Sequence, residues 1–452
     1  MNYQTENNRF DWQGQSILIK LLLIGALTLV LLIPSNWIQE LILERQNRQD
    51  EVIQEISDKW AGNQLLQGPA MILPYKTLIG QKDTTGRTIY KESLTNIYLL
   101  PEKLDIISKV IPEKLHRGIF DAVVYNTRIT VNGKFNSLEL KKSGINPGMV
   151  QWDKAKLAIG LSDLKGLKNN PSITFNDSSY NVEPGFDNSH LFSNNLIVQP
   201  DLSVKKNTEA NFSFTLDMRG SGELNFMHLG RTTTVKVDGK WDNPSFTGRY
   251  LPEDRQVSED FNAVWKMPYF SRPYPQQWIE QNAIIKSTNN DATFGVKFLL
   301  PVDQYQKTMR SAKYAILIIL LTFISLFFTE LLNKKKVHLL QYILIGAAMT
   351  IYYTLLLSFS ERVGFTIAYL IASVATVALI GIFIASLLKN KKPALVFSAI
   401  LSVFYSFIFV LIQLQDMALL FGSIGLFITV AAMMYLSAKM DWNRQPEPEP
   451  AL

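Results

Sequence analysis

The C-terminal third of the chain alternates apolar runs of membrane-crossing length with short charged islands. Segments 314–332, 338–359, 363–388, 394–414 and 417–436 are almost free of charged residues. At about 1.5 Å per residue, each is long enough to cross a hydrocarbon core about 30 Å thick. A segment in that environment must satisfy its own backbone hydrogen bonds, so each is expected to be a helix. A sixth run, ILIKLLLIGALTLVLLIP, fills 17–34, with Lys20 placed near its start to snorkel toward water. No small-residue cleavage pattern follows it, and the chain continues into the helical IQELILERQNRQDEVIQEI. An uncleaved anchor is expected there rather than a signal peptide.

The charged islands assign sides. Lys334, Lys335 and Lys336 separate the second and third spans, Lys389, Lys391 and Lys392 the fourth and fifth, and Lys439 and Arg444 follow the sixth. The other two connections hold only Arg362 in one case and no Lys or Arg in the other. By the positive-inside rule the Lys-rich connections and both termini are cytoplasmic, and the long stretch between the first and second spans lies outside. Ser360-Glu361-Arg362 then falls at an outer-face turn, where charge costs little. Glu330 stands four residues before Lys334, a spacing that suits a helical ion pair at the inner interface. The third to sixth spans have no Asp, Glu, Lys or Arg in their central portions. That scarcity and the lack of an inverted repeat argue against ion-coupled transport. Gly381, Ala385, Gly422 and Gly425 read as sites of close helix approach.

Between the first and second spans the apolar pattern changes to period two. Val123, Tyr125, Ile129 and Val131 alternate with polar neighbours up to Asn132-Gly133, and Val235 and Val237 run into Asp238-Gly239. Both dipeptides are hairpin signals. Phe212, Phe214, Leu216 and Met218 alternate as well. The expected fold is therefore a multi-pass α-helical membrane protein with a large extracytoplasmic β-rich, sandwich-like domain between the first and second spans. The expected boundaries are a cytoplasmic N-terminus at 1–16, the anchor at 17–34, a helical stalk at 35–60 and the β-rich domain at 61–312. A five-helix bundle at 313–436 and a cytoplasmic tail at 437–452 complete the chain.

The chain has no Cys, so thiol chemistry and disulfides are excluded. His116, His190 and His228 form no close metal-ligand motif, and no nucleophile elbow, P-loop or dinucleotide fingerprint is present. The net charge of +6 resides largely in Lys clusters beside apolar runs, which points to membrane topology rather than nucleic acid. MPYFSRPYPQQW, 267–278, reads as a packed loop or an interfacial aromatic contact in preference to a binding lip. No nucleotide, metal or redox cofactor is indicated.

Blocks along the whole chain resemble the CreD family of bacterial inner-membrane proteins. They include LLIPSNWIQELILERQNRQDEVIQEISDKWAGNQLLQGPAMILPY, RGIFDAVVYNTRITVNGKF, KWDNPSFTGRYLP and LLPVDQYQKTMRSAKYAIL, followed by ERVGFTIAYLIA and QDMALLFGSIGLFITVAAMMYLSAKMDW. Ala61 between Trp60 and Gly62, Asp242-Asn243 in place of Pro-His, and Met417 in place of an aromatic are departures from the family pattern. The resemblance implies an inner-membrane envelope-integrity or stress protein with no catalytic residue set. On this reading the chain is not an enzyme, and its outer domain binds an envelope protein, lipid or cell-wall partner. A transporter or lipid-handling channel formed by the bundle, and an envelope-processing hydrolase, stay open as alternatives. Membrane lipids are expected partners and nucleic acid is not. The candidate outer-face coupling or binding residues are Glu361, Arg362, Gly364 and Asp416.

Overall fold

Apolar residues and small hydroxyl residues at alternating three- and four-residue intervals give the first helix one buried seam. Helix α1, Trp12–Trp60, buries Ile24, Thr28, Leu31, Ser35, Ile38 and Ile42, the geometry of a knobs-into-holes seam. A computed structural model gives the architecture and describes residues 12–82, 88–185, 191–192, 194–279, 290–300, 304–333, 335, 337–414 and 417–439. The chain forms two compact units: residues 1–48 with 302–452, and residues 49–301. The compact units divide at 301/302, ahead of the domain boundary expected at 312/313. The difference is a short helix, α2, Gln304–Lys313, which buries Tyr305, Thr308, Ser311 and Ala312 along one side within the helical unit.

The helical unit continues with α3 Ala315–Asn333, α4 Leu339–Val363, α5 Phe365–Leu388, α6 Lys391–Gln413 and α7 Ala418–Ala438. With α1, these make six helices among the described residues that are long and apolar enough to cross a membrane. Leu31 of α1 packs where a Cβ on Gly346 of α4 would sit 2.3 Å away, so this glycine sets how closely the two helices approach.

Among the described residues the β-rich unit holds 17 strands. In chain order they begin with β1 Gln64–Lys82, β2 Thr88–Leu99, β3 Lys103–Arg117, β4 Phe120–Phe135, β5 Lys156–Leu161, β6 Ser172–Phe175, β7 Ser178–Asn181, β8 Glu183–Gly185 and β9 Asn195–Val198. There follow β10 Ala210–Ser221, β11 Glu223–Met227, β12 Thr232–Gly239, β13 Pro244–Gly248, β14 Asp254–Val257, β15 Phe261–Met267, β16 Gln277–Ile279 and β17 Thr293–Phe298. Eight strands form one sheet in the order β14-β15-β12-β3-β4-β10-β6-β7. The other nine follow β13-β17-β11-β1-β5-β9-β8, with β2 pairing β1 and β16 pairing β2. Most pairings are antiparallel; β1 with β11 and β12 with β3 are parallel.

The facing sides of the sheets share one core. Leu73, Ile97, Phe226 and Phe294 come from the nine-stranded sheet, and Ile106, Val131, Phe212 and Trp265 from the eight-stranded one. Each such side chain contributes about 1.5–3 kcal/mol of burial. The sandwich expected from the period-two pattern is therefore present. The nine-stranded sheet is buried on its other side as well, where Ala70, Ile72, Tyr98 and Ala158 pack beneath Leu191, Phe192 and Tyr274.

Neither expected hairpin forms. Asn132 and Gly133 lie inside β4, paired with Ser213 and Phe212 on one side and with Asp105 and Leu104 on the other. A Cβ on Gly133 would meet Lys103 O at 2.3 Å and the Phe212 ring at 2.4 Å, so glycine is required here by close approach. Asp238-Gly239 ends β12, and the chain then crosses to β13 in the opposite sheet. At that position a Cβ would strike Val110 and Phe261.

Candidate functional site

The expected outer-turn residues are only partly brought together. Glu361 lies in the last turn of α4 with its carboxylate largely buried, accepting a 2.9 Å hydrogen bond from the Tyr305 hydroxyl of α2. Arg45 of α1 places its Nε 3.7 Å from the same oxygen. Arg362, the next residue, is exposed. The turn itself is made by Gly364, whose φ of 82° favours glycine and whose N–H donates to Ser360 O at 3.1 Å. Asp416 lies outside the described residues.

Helix α2 is the element that sequence reasoning left unassigned. Tyr305 reaches the α4–α5 turn, and Lys307 donates to Gln413 Oε1 at 3.1 Å, at the end of α6. The Lys307 ammonium also stands 5.8 Å from the Phe365 ring centre at the start of α5. One short helix thereby ties the ends of α4, α5 and α6. The signal available in the sequence was the spacing of Tyr305, Thr308, Ser311 and Ala312, which places them on one helical face.

At the other end of α1, Lys20 does not snorkel freely. It forms an ion pair with Glu330 of α3 and donates to Val337 O at 3.1 Å. Glu330 also accepts from the Tyr342 hydroxyl at 3.2 Å. The expected Glu330–Lys334 pair cannot be placed, because Lys334 lies outside the described residues. The Lys20–Glu330 pair neutralises a charge inside the helical unit.

Between α5 and α6 runs a groove of about 820 Å³. Hydroxyl-bearing Tyr369, Ser373, Ser402 and Tyr405 line one end, and Lys391 lines the other. The Tyr369 hydroxyl donates to Tyr405 O at 2.8 Å, and the Tyr352 ring centre lies 5.9 Å from Tyr369 and 4.9 Å from Tyr405. These tyrosines form a polar knot among three helices, a feature the apolar run lengths concealed.

In the β-rich unit, segment 267–278 is a packed loop carrying one projecting ring. Arg272 is buried and donates to Leu229 O at 2.6 Å, Tyr274 O at 3.0 Å and Gln276 Oε1 at 2.9 Å. Burial lowers its pKa to about 10, which keeps it charged at neutral pH. The guanidinium groups of Arg231 and Arg272 stand 4.9 and 5.0 Å from the Tyr269 ring centre. Phe270, by contrast, is 96% exposed. His228 is fully buried against Thr233 Oγ1 at 2.9 Å, with Pro268 O 3.3 Å from its other nitrogen. Burial, reinforced by the Arg272 charge, pushes its pKa down to about 4, so this imidazole is neutral. His116 pairs with Asp121 at the surface, and His190 lies outside the described residues.

The β1–β2 ribbon presents the most exposed apolar stripe of the unit. Lys76 opposes Leu94, Leu78 opposes Glu92, and Gly80 opposes Tyr90, which puts all six on one face. Leu78, Tyr90 and Leu94 are 55%, 68% and 62% exposed. Among the described residues, strand positions 76–82 and 88–96 pair only with each other.

Among the described residues, six membrane-length helices, with a two-sheet sandwich inserted after the first, define a multi-pass membrane protein carrying a large β-rich domain. A model of the family described as inner membrane protein CreD matches residues 16–443, and the chain belongs to that family. It is 30% identical over 421 residues to the inner membrane protein CreD of Escherichia coli (strain K12), covering 93% of this chain and 92% of the relative. It is accordingly a multi-pass protein of the inner membrane.

Proposed function

We propose that this protein supports cell-envelope integrity, with the β-rich unit in the periplasm binding an envelope partner and both termini in the cytoplasm. The distribution of Lys and Arg among the short connections supports this orientation. The observation that carries the binding reading is the β1–β2 ribbon. Leu78, Tyr90 and Leu94 form an apolar stripe on a two-stranded arm whose outer edges pair with no further strand among the described residues. A solvated domain gains nothing from such a stripe, whereas a partner covering it removes both the apolar area and those edges from water. A protein partner suits this surface better than a polysaccharide, because the stripe is apolar and the strand edges offer backbone hydrogen bonds. The reading assigns the chain no catalytic step.

The test is complementation of a deletion strain under envelope stress, scored by leakage of a small dye. The triple substitution Leu78→Ser, Tyr90→Ser, Leu94→Ser is expected to reach the membrane at wild-type levels yet fail to restore the barrier. Val257→Ser, on a different exposed strand, is expected to restore it. Full restoration by the triple variant would overturn the ribbon's role. Turnover of an envelope substrate by the purified chain would overturn the non-enzymatic reading.

A further inference from the structure

The α5–α6 groove has a polarity that a gap between two apolar helices does not need. At its floor the helices nearly touch: a Cβ on Gly381 would lie 2.3 Å from Ser398 Oγ. Small Ala378 and Ala385 leave the space open, while Ile382 and Leu395 stand as walls, 71% and 75% exposed. From Val374 to Ala385 the apolar part of the α5 side is about 17 Å long at about 1.5 Å per residue, about the depth of one leaflet of a hydrocarbon core. One end terminates at Lys391, the first residue of α6 and an exposed one. Among the described residues, no Asp or Glu lines the groove.

We infer that this groove holds one anionic phospholipid, its phosphate at Lys391 and an acyl chain along Ala378, Ile382, Ala385 and Leu395. Charge complementarity selects the occupant. Lys391, at the mouth of an apolar slot, attracts an anionic headgroup close to the membrane surface. An apolar slot of this length accepts a chain and excludes a free phosphate ion. The hydroxyl-bearing end is not part of the site, since the Tyr369 hydroxyl is already committed to Tyr405 O. The inference goes beyond the partner-binding role of the β-rich unit and stands without it.

Native mass spectrometry of the full chain, titrated in detergent with phosphatidylglycerol or with phosphatidylcholine, tests it. The wild type is expected to retain phosphatidylglycerol in roughly fivefold preference, the scale of one Lys–phosphate contact. Lys391→Gln is expected to bring the two lipids close to parity, and Lys391→Arg to keep the preference. Ala378→Trp, which fills the slot, is expected to lower retention of both lipids. Equal retention of the two lipids by the wild type would overturn the site, as would an unchanged preference in Lys391→Gln. Undiminished retention in Ala378→Trp would place the lipid on the surface lysines and overturn the groove.

Discussion

Arg45 of α1 holds its Nε 3.7 Å from Glu361 Oε1, and 25 positions earlier on the same seam Lys20 meets Glu330. At about 1.5 Å per residue the two pairs lie about 37 Å apart, slightly more than a hydrocarbon core. Helix α1 is therefore pinned to its unit near both membrane borders, with only Ile24, Thr28, Leu31, Ser35, Ile38 and Ile42 buried on the seam between.

The two pins differ in exposure, and their loss should differ in cost. Glu330→Ala strands the partly buried Lys20 and is expected to destabilise the helical unit by about 3 kcal/mol. Glu361→Ala leaves Arg45, whose side chain is 47% exposed, free to reach water, and is expected to cost about 1 kcal/mol. Thermal unfolding of the full chain in detergent reads both, and Lys20→Met combined with Glu330→Leu is expected to recover most of the first loss. Equal costs for the two single variants would contradict the difference in burial.

His228 makes the β-rich unit acid-sensitive. Its pKa falls from 6.5 to about 4 on folding, so as pH drops the unfolded chain takes up the proton first. Its contribution is fully present above about pH 6.5 and is lost as the pH falls toward 4, a total of about 3 kcal/mol. Tryptophan emission during unfolding, at several pH values in that window, should show a shallower slope for His228→Asn than for wild type. Identical slopes would remove His228 from the account.

Gly133→Ala separates the two structural roles open to an Asn-Gly pair. Inside β4 the new methyl meets Lys103 O and the Phe212 ring, and the expected cost is about 2 kcal/mol or more. The midpoint of denaturant unfolding measures it. A cost of a few tenths of a kcal/mol would mean the site has the open geometry of a turn.

The membrane helices were legible because run length and charge placement are local properties, read directly from segments such as 363–388. The sandwich was legible from alternation at Phe212 to Met218. Asn132-Gly133 misled because a hairpin signal is also local, whereas this glycine is fixed by Lys103 O and by Phe212, 79 positions away. No sequence spacing connects Glu330 with Lys20, 310 positions away, which its carboxylate meets. Of the candidate outer residues, Glu361 gained the partners Tyr305 and Arg45, which no spacing rule connects. The ribbon stripe needed the strand register, since Leu78, Tyr90 and Leu94 share a face only once β1 and β2 are paired.

The orientation underlies the whole functional account, and the Cys-free chain allows a direct test of it. Single cysteines at Lys91, on the β1–β2 ribbon, and at Lys335, between α3 and α4, can be challenged in intact cells. The reagent is a charged maleimide that passes the outer membrane but not the inner one. The account predicts labelling at position 91 in intact cells and at position 335 only after the inner membrane is permeabilised. Labelling of position 335 from outside, with position 91 protected, would place the β-rich unit in the cytoplasm and contradict a periplasmic partner-binding role.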